Sequence, residues 1–322
     1  MSDTALQYRC IGKGFCGTVW ALEDSDEAHA VKREDGGPGR SVTKDYNMHL
    51  RVVQIAAQYH ISTSVPQCHQ LVEPTDVWWH SHLHQFPAGL SACRALISER
   101  IPPVPRPISD KIVDLFCPDN APLAHFVKTN PDDASCLIRP YLGRRRRQAG
   151  PSNSRFKGFS LRNVPLHINQ MEALRLDTGA YAEAMADALA LLHWGAQIDA
   201  ADVEFVLAPP RASAPPAFVS DVLGAHGMWV LDFDCCRALA MDAAGIEQAC
   251  AAFWGNDPFY PRPGGAEAAD ELLWGVFRQR FLETSRVVLG QSAVGDVLLA
   301  EKLIRRIEEV GLARSKDREK LA

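Results

Sequence analysis

Residues 11–23 read IGKGFCGTVWALE, and residues 29–35 read HAVKRED. The spacing Gly12-x-Gly14-x-x-Gly17-x-Val19 is that of a glycine loop, in which missing side chains let backbone N–H groups approach an anion closely. A glycine turn is also a common hairpin device, so the pattern admits both a plain turn and a phosphate cradle. Lys32, on the next run of alternating residues, places a cation one strand away. It too has two readings, a cleft lysine or a solvated strand lysine. The periodicity predicts strands on both sides of the loop, with the acidic turn EDSDE (23–27) between the second and third.

Outward from this hairpin, GGPGRS (36–41) reads as a loop and SVTKDYNMHLRVVQIAAQY (41–59) as a helix. Met48, Val52, Ile55 and Ala56 fall at helical spacing, and Ser41 or Thr43 is placed to cap it. DVWWHSHLHQF (76–86) and SCLIRPYLG (135–143) are expected to be strands, with the proline-rich RIPPVPRPIS (100–109) on a surface path between them. On such a strand His80, His82 and His84 share one face. Cys68 and Cys93 lack paired zinc-finger spacing, so no metal is expected. The run GRRRRQAGPSNSRFKG (143–158) is polar and strongly basic and reads as a loop insert. The unit boundary is placed just before it, giving an N-terminal unit at 1–142 and a C-terminal unit at 143–322 with a basic insert at 143–165. Beyond it, a long helix is expected at about 177–196. DVEFVLA and GMWVLDFD follow as short strands, then amphipathic helices and a charged, frayed tail, SKDREKLA. The expected class is α+β.

The bulk properties limit the function classes. The 322 residues are 47% hydrophobic and 23% charged with a net charge of −5, which suits a folded chain with a real core and no global basic field. No apolar run approaches the roughly 20 residues that span a bilayer, and MSDTALQYRC has no apolar signal core. Nine cysteines without a regular framework point to free thiols in a reducing cytoplasm.

The order of motifs resembles the protein-kinase skeleton: a glycine loop, a strand lysine, a helix acid (Asp45, where kinases use Glu), a catalytic loop and a D-F-G strand. Where kinases carry H-R-D-x-x-x-x-N, this chain has Gln197-Ile198-Asp199 and Glu204. Asp199 matches the catalytic aspartate, and Glu204 replaces the metal-binding asparagine. In VLDFD, Asp232 takes the metal-ligand position and Asp234 stands where glycine would be. His193 is read as a packed helical histidine. The resemblance implies a two-lobe fold with a β-rich N-lobe and a helical C-lobe. It also puts Asp199, Asp202, Glu204, Asp232 and Asp234 in one cleft. Carboxylates so crowded repel unless a cation joins them, a metal or an organic base such as a guanidinium. Asp202 and Asp234 have the alternative of capping turns.

The strings GKGFCGTVWAL, RIPPVPRPI, CLIRPYLGRRR, FSLRNVPLHINQMEAL, LHWGAQIDAADVEFVL and NDPFYPRP together resemble a fungal family that includes arginine-containing cyclodipeptide synthases. The resemblance runs from about residue 8 to 290. It implies an aminoacyltransferase that joins arginine from arginyl-tRNA to a second amino acid from another aminoacyl-tRNA. The product is a diketopiperazine, and no ATP or other cofactor is needed. Partner enzymes of a secondary-metabolite pathway are implied with it. The residues then take expected roles: Asp199, Glu204, Lys32 and Asp232 in catalysis, and Asp202, Asp234, Cys16 and Gly14 at the substrate. Arg144, Arg145, Arg146, Arg147, Arg155 and Lys157, with Arg162 nearby, become a tRNA dock, although a basic run is equally a solvated loop. A covalent route would use Cys16, Cys235 or Cys236, each of which also reads as a small core residue. Two other readings stand beside this one: an ATP-dependent small-molecule kinase of the aminoglycoside-phosphotransferase kind, and a catalytically dead binding module.

Overall fold

The computed structural model describes residues 6–22, 29–117, 120–146, 158–290 and 298–321. The chain opens with β1 (Tyr8–Lys13), β2 (Thr18–Leu22) and β3 (His29–Arg33). Then come α1 (Val42–Ala56), the two-residue β4 (Thr63–Ser64) and β5 (Cys68–Val72). Next are α2 (Val77–His82), β6 (Ala95–Glu99), α3 (Arg106–Phe116), α4 (Ala121–Thr129), β7 (Ile138–Tyr141), β8 (Val164–His167) and α5 (Ile168–Ala173). The C-terminal part holds α6 (Thr178–Ala190), β9 (Glu204–Ala208), β10 (Phe218–Ser220), β11 (Gly224–Leu231), α7 (Ala243–Gly255), α8 (Ala268–Gly290) and α9 (Leu298–Leu321).

The architecture is mixed α+β, with a β-rich N-terminal sheet and a largely helical C-terminal region. The first sheet is antiparallel in the order β1-β2-β3-β6-β5. A second sheet runs β10-β11-β9-β7-β8, with β4 added in parallel to β11. Thr63 thus pairs with Met228, and its hydroxyl donates to the Ala184 carbonyl of α6 at 3.0 Å. Near the same seam Arg211 grips Glu99 with two hydrogen bonds of 2.6 Å.

Local chemistry accounts for the elements that position the cleft. Ser41 Oγ accepts from Lys44 N and caps α1, whose buried face carries Val42, Asp45, His49 and Val52 at helical spacing. Asp177 caps α6, an alanine-rich helix buried on nearly every side. It ends in a π turn, where Ala196 N donates to Leu191 O across five residues. His193 lies inside that turn, fully buried and bonded through Nδ1 to Ile198 O, and burial pulls its pKa down to about 4. It is a packing residue, as its helical context suggested.

Two expectations are corrected. DVWWHSHLHQF is a helix and a following 3₁₀ turn, not a strand. Trp79 is buried, and His82 stacks on Trp78 with ring centroids 4.2 Å apart, a contact one helical turn long. The packing does not change at residue 142. Val104, Ile112, Val127 and Ile138 share one core with Leu166, Met171 and Tyr181, because β7 pairs with β8 and β9. The proline-rich segment connects β6 to α3. Finally, SKDREKL continues α9 to Leu321 instead of fraying. Among the described residues no helix is long and apolar enough to cross a membrane.

Candidate functional site

A cleft of about 490 Å³ lies between the first sheet and the C-terminal region. Its roof is the glycine loop and β3; its floor is the segments before β9 and after β11. Lys32 sits in the middle. Its ammonium donates to Asp45 Oδ2 at 2.6 Å and Asp232 Oδ1 at 2.8 Å, with Asp234 3.8 Å away. Burial opposes its charge, but Asp45 and Asp232 more than offset that and raise its pKa. The other Asp45 oxygen accepts from Phe233 N at 3.1 Å, so α1 clamps the strand end that carries the DFD sequence.

Two arginines supply the remaining countercharge. Arg40, on the GGPGRS loop, donates to Asp234 Oδ1 at 2.7 Å, to Asp202 Oδ2 at 3.2 Å and to Cys235 Sγ. Arg139 of β7 donates to Glu204 and stands 3.5 Å from Asp257, whose carboxylate accepts from Tyr141 Oη. Burial pushes the Glu204 carboxyl up to about 7, and Arg139 pulls the other way without cancelling it. Burial, with Asp232 alongside, also raises the Asp234 carboxyl. The cation demanded by the crowded carboxylates is therefore met by the chain's own Lys32, Arg40 and Arg139.

The backbone of the floor is held in an uncommon conformation. Gln197, Ala200, Asp202 and Asp232 have φ of 50°, 53°, 62° and 65°. Non-glycine residues in this left-handed region cost of order 1–3 kcal/mol each and persist where surrounding contacts dictate them. Asn256 supplies two such contacts, accepting from Asp202 N at 2.7 Å and donating to Ala200 O at 2.8 Å.

Asp199 does not join the cleft. It has no exposed surface, and its carboxylate accepts from Ala201 N, Arg237 N, Arg237 Nε and Gln248 Nε2. With four donors and no solvent it has no lone pair left for a substrate proton. The expected catalytic aspartate is an anchor for the 197–203 loop. Asp202, Glu204, Asp232 and Asp234 do line the cleft, with Lys32, Gly14 and Cys16. A Cβ on Gly14 would meet nothing within 4 Å, so sterics do not require glycine there. Gly17 and Gly36 differ. A Cβ on Gly17 would lie 2.0 Å from Arg33 O, and one on Gly36 would lie 2.3 Å from Phe15 O.

The thiols are poor nucleophiles where they stand. Burial pushes Cys16 up to about 12 and Cys235 up to about 11, and it raises the buried Cys236 as well. Asp202, Asp234 and Cys235 are close enough to hold a metal ion, but the Arg40 guanidinium bonds to all three.

The basic run divides. Arg144 is exposed and stacks over Tyr141 at 5.3 Å, and Arg146 is exposed. Arg145 is turned inward onto Glu172 at 2.8 Å, Asp270 at 2.8 Å and Glu267 at 3.2 Å. Arg162 pairs with Asp132 at 3.3 Å. Arg147, Arg155 and Lys157 lie outside the described residues.

Arg40, Arg139, Asp257 and Tyr141 were not singled out by sequence reasoning. Their signal lay in strings already conspicuous: GGPGRS, CLIRPYLG and NDPFYPRP.

A model of the DUF3669 family, described as a zinc finger protein, matches residues 228–293, much less than half of the chain. That span holds Cys235, Cys236 and Cys250 and no histidine, and all three cysteines are free thiols. They do not make a tetrahedral Cys/His set. No curated protein matches the chain.

Proposed function

We propose that this chain is a cytoplasmic aminoacyltransferase on a kinase-like two-lobe frame. It condenses arginyl-tRNA with a second aminoacyl-tRNA into an arginine-containing cyclic dipeptide. One observation carries the reading: Asp202 and Asp234 already hold a guanidinium, that of Arg40, at 3.2 and 2.7 Å. A cleft whose carboxylates are arranged for a guanidinium suits an arginine side chain, since the planar fork matches paired carboxylate oxygens.

The chemistry follows from the neighbouring groups. The α-amine of one aminoacyl group attacks the ester carbonyl of the other, the peptide C–N bond forms, and the first tRNA leaves through its ribose oxygen. The second amine then attacks the remaining ester, closes the six-membered ring and releases the second tRNA. An α-ammonium titrates near pH 8, and the Glu204 carboxyl stands at about 7, so proton transfer between them is nearly balanced. Glu204 is the general base. Lys32, held charged by Asp45 and Asp232, stabilises the developing oxyanion. The raised thiols favour direct attack over a cysteine-bound intermediate.

The second reading, an ATP-dependent small-molecule kinase, draws on the Lys32–Asp45 ion pair at 2.6 Å. Two observations weigh against it. The aspartate at the kinase base position is buried and saturated, and Glu204, in place of the metal-binding asparagine, is engaged by Arg139.

The test is mass spectrometry of the purified protein with preformed aminoacyl-tRNAs. An arginine-containing cyclic dipeptide that disappears on RNase treatment is the expected result. No product, together with ATP turnover by the protein alone, would transfer the case to the kinase.

A further inference from the structure

The glycine loop and the GGPGRS loop are one body. Gly36 N donates to Cys16 O at 3.1 Å, and Gly37 N donates to Phe15 O at 3.0 Å. The close approach at Gly36 leaves no room for a side chain between them. Phe15, at the apex, is 80% exposed, an unusual setting for a phenylalanine. The Arg40 guanidinium lies over its ring at 5.8 Å. The same guanidinium reaches across the cleft to Asp202, Asp234 and Cys235, residues that belong to the opposite wall. Arg40 is thus the polar tie between this flap and the floor.

We propose that Arg40 is a latch: it holds the flap of residues 13–17 and 36–40 closed on the cleft, and a guanidinium-bearing substrate releases it by taking Asp202 and Asp234. The second half rests on the reading of the cleft as an arginine side-chain site. The physical logic is competition between like cations. A second guanidinium at Asp234 competes with Arg40, because this carboxylate is nearly buried and, among the described residues, already has the Lys32 ammonium 3.8 Å away. A substrate arginine therefore displaces Arg40. Gly39, next to Arg40 and with φ of 89°, lies beyond these bonded pairs with open space around it, and gives the chain the freedom to carry Arg40 away. Binding and flap opening become a single exchange of partners.

Two measurements on the full chain test this. The first is calorimetry with arginine methyl ester and, as a neutral isostere, citrulline methyl ester. Arg40→Gln is expected to bind the arginine ester at least about tenfold more tightly than wild type, the scale of removing a charge-assisted competitor. The citrulline ester should show no such gain. The second is fluorine NMR with 4-fluorophenylalanine at position 15, which reports whether Arg40 lies over the ring. Asp202→Asn changes only an exposed carboxylate and is expected to shift the signal. Arginine ester added to the wild type should shift it the same way.

Equal or weaker binding by Arg40→Gln overturns the competition. A signal unmoved by both Asp202→Asn and the ester overturns the latch. Neither measurement uses tRNA, so the synthase reading fails separately: tight ester binding without cyclic dipeptide sinks that reading and leaves the latch standing.

Discussion

Glu204 combines a carboxyl at about 7 with a place on the cleft wall, and both properties have consequences. In the proposed role of general base it must be ionised, so product formation should rise with pH through about 7 and then level. Glu204→Gln should lower the rate by about 10²–10⁴-fold, the usual contribution of a positioned base, with an unchanged circular dichroism spectrum. The same group shapes stability. Its folded pKa lies above its ordinary value of 4.5, so the folded chain binds this proton more tightly than the unfolded chain does. That contribution is fully present below pH 4.5 and is lost as pH rises through about 7. Urea midpoints measured across this window should therefore fall less steeply in Glu204→Gln than in the wild type. Asp199 behaves differently despite its motif position. Asp199→Asn removes a charge that four donors satisfy, and should cost about 1–3 kcal/mol of stability, read as a lower urea midpoint. Spacing alone identified Asp199 and Glu204 together. It did not separate them, because which carboxylate faces the cleft depends on Arg237 and Gln248, residues from a distant stretch of chain.

At the scale of elements, the hairpin, α1, α6 and the helical C-terminal part were legible because each has a strong local signal: turn glycines, a cap, or a helical apolar stripe. α2 was misread because tryptophan and valine have strand propensity and the histidines alternate, while tertiary burial of Trp79 decides the conformation. The basic run shows the same limit. A charge count does not reveal that Arg145 faces Glu172 and Asp270 while Arg144 and Arg146 face outward. The two kinds of arginine should respond differently. Arg144→Ala with Arg146→Ala should weaken tRNA binding and reduce its salt slope by up to about two, measured by filter binding at several salt concentrations, with little change in melting temperature. Arg145→Ala should lower the melting temperature instead. The join between the two loops offers a further check. Gly36→Ala places a methyl 2.3 Å from a backbone oxygen, and should cost about 1–3 kcal/mol by forced displacement, read as a lower unfolding midpoint.

At the scale of the molecule, the α+β class could be read from the order of patterns, but the strand pairing across residue 143 could not. Strand pairing between residues 138 and 207 overrides the composition break at 143. The two units are joined by Arg211 and Glu99, and Arg211→Ala should loosen them. It leaves a largely buried carboxylate without its fork, so faster proteolysis near the proline-rich connector is the expected readout. A second join has a different kind of consequence. Thr63 and Ser64 find their strand partners only at Met228 and Trp229, about half the chain length later. During synthesis the first third of the protein emerges with this short strand unpaired and waits for β11 to leave the ribosome. The cleft floor and the last stitch of the N-terminal part therefore arrive together. A nascent chain stalled before residue 228 should remain open to protease at residues 60–66, and one released after β11 has emerged should close there.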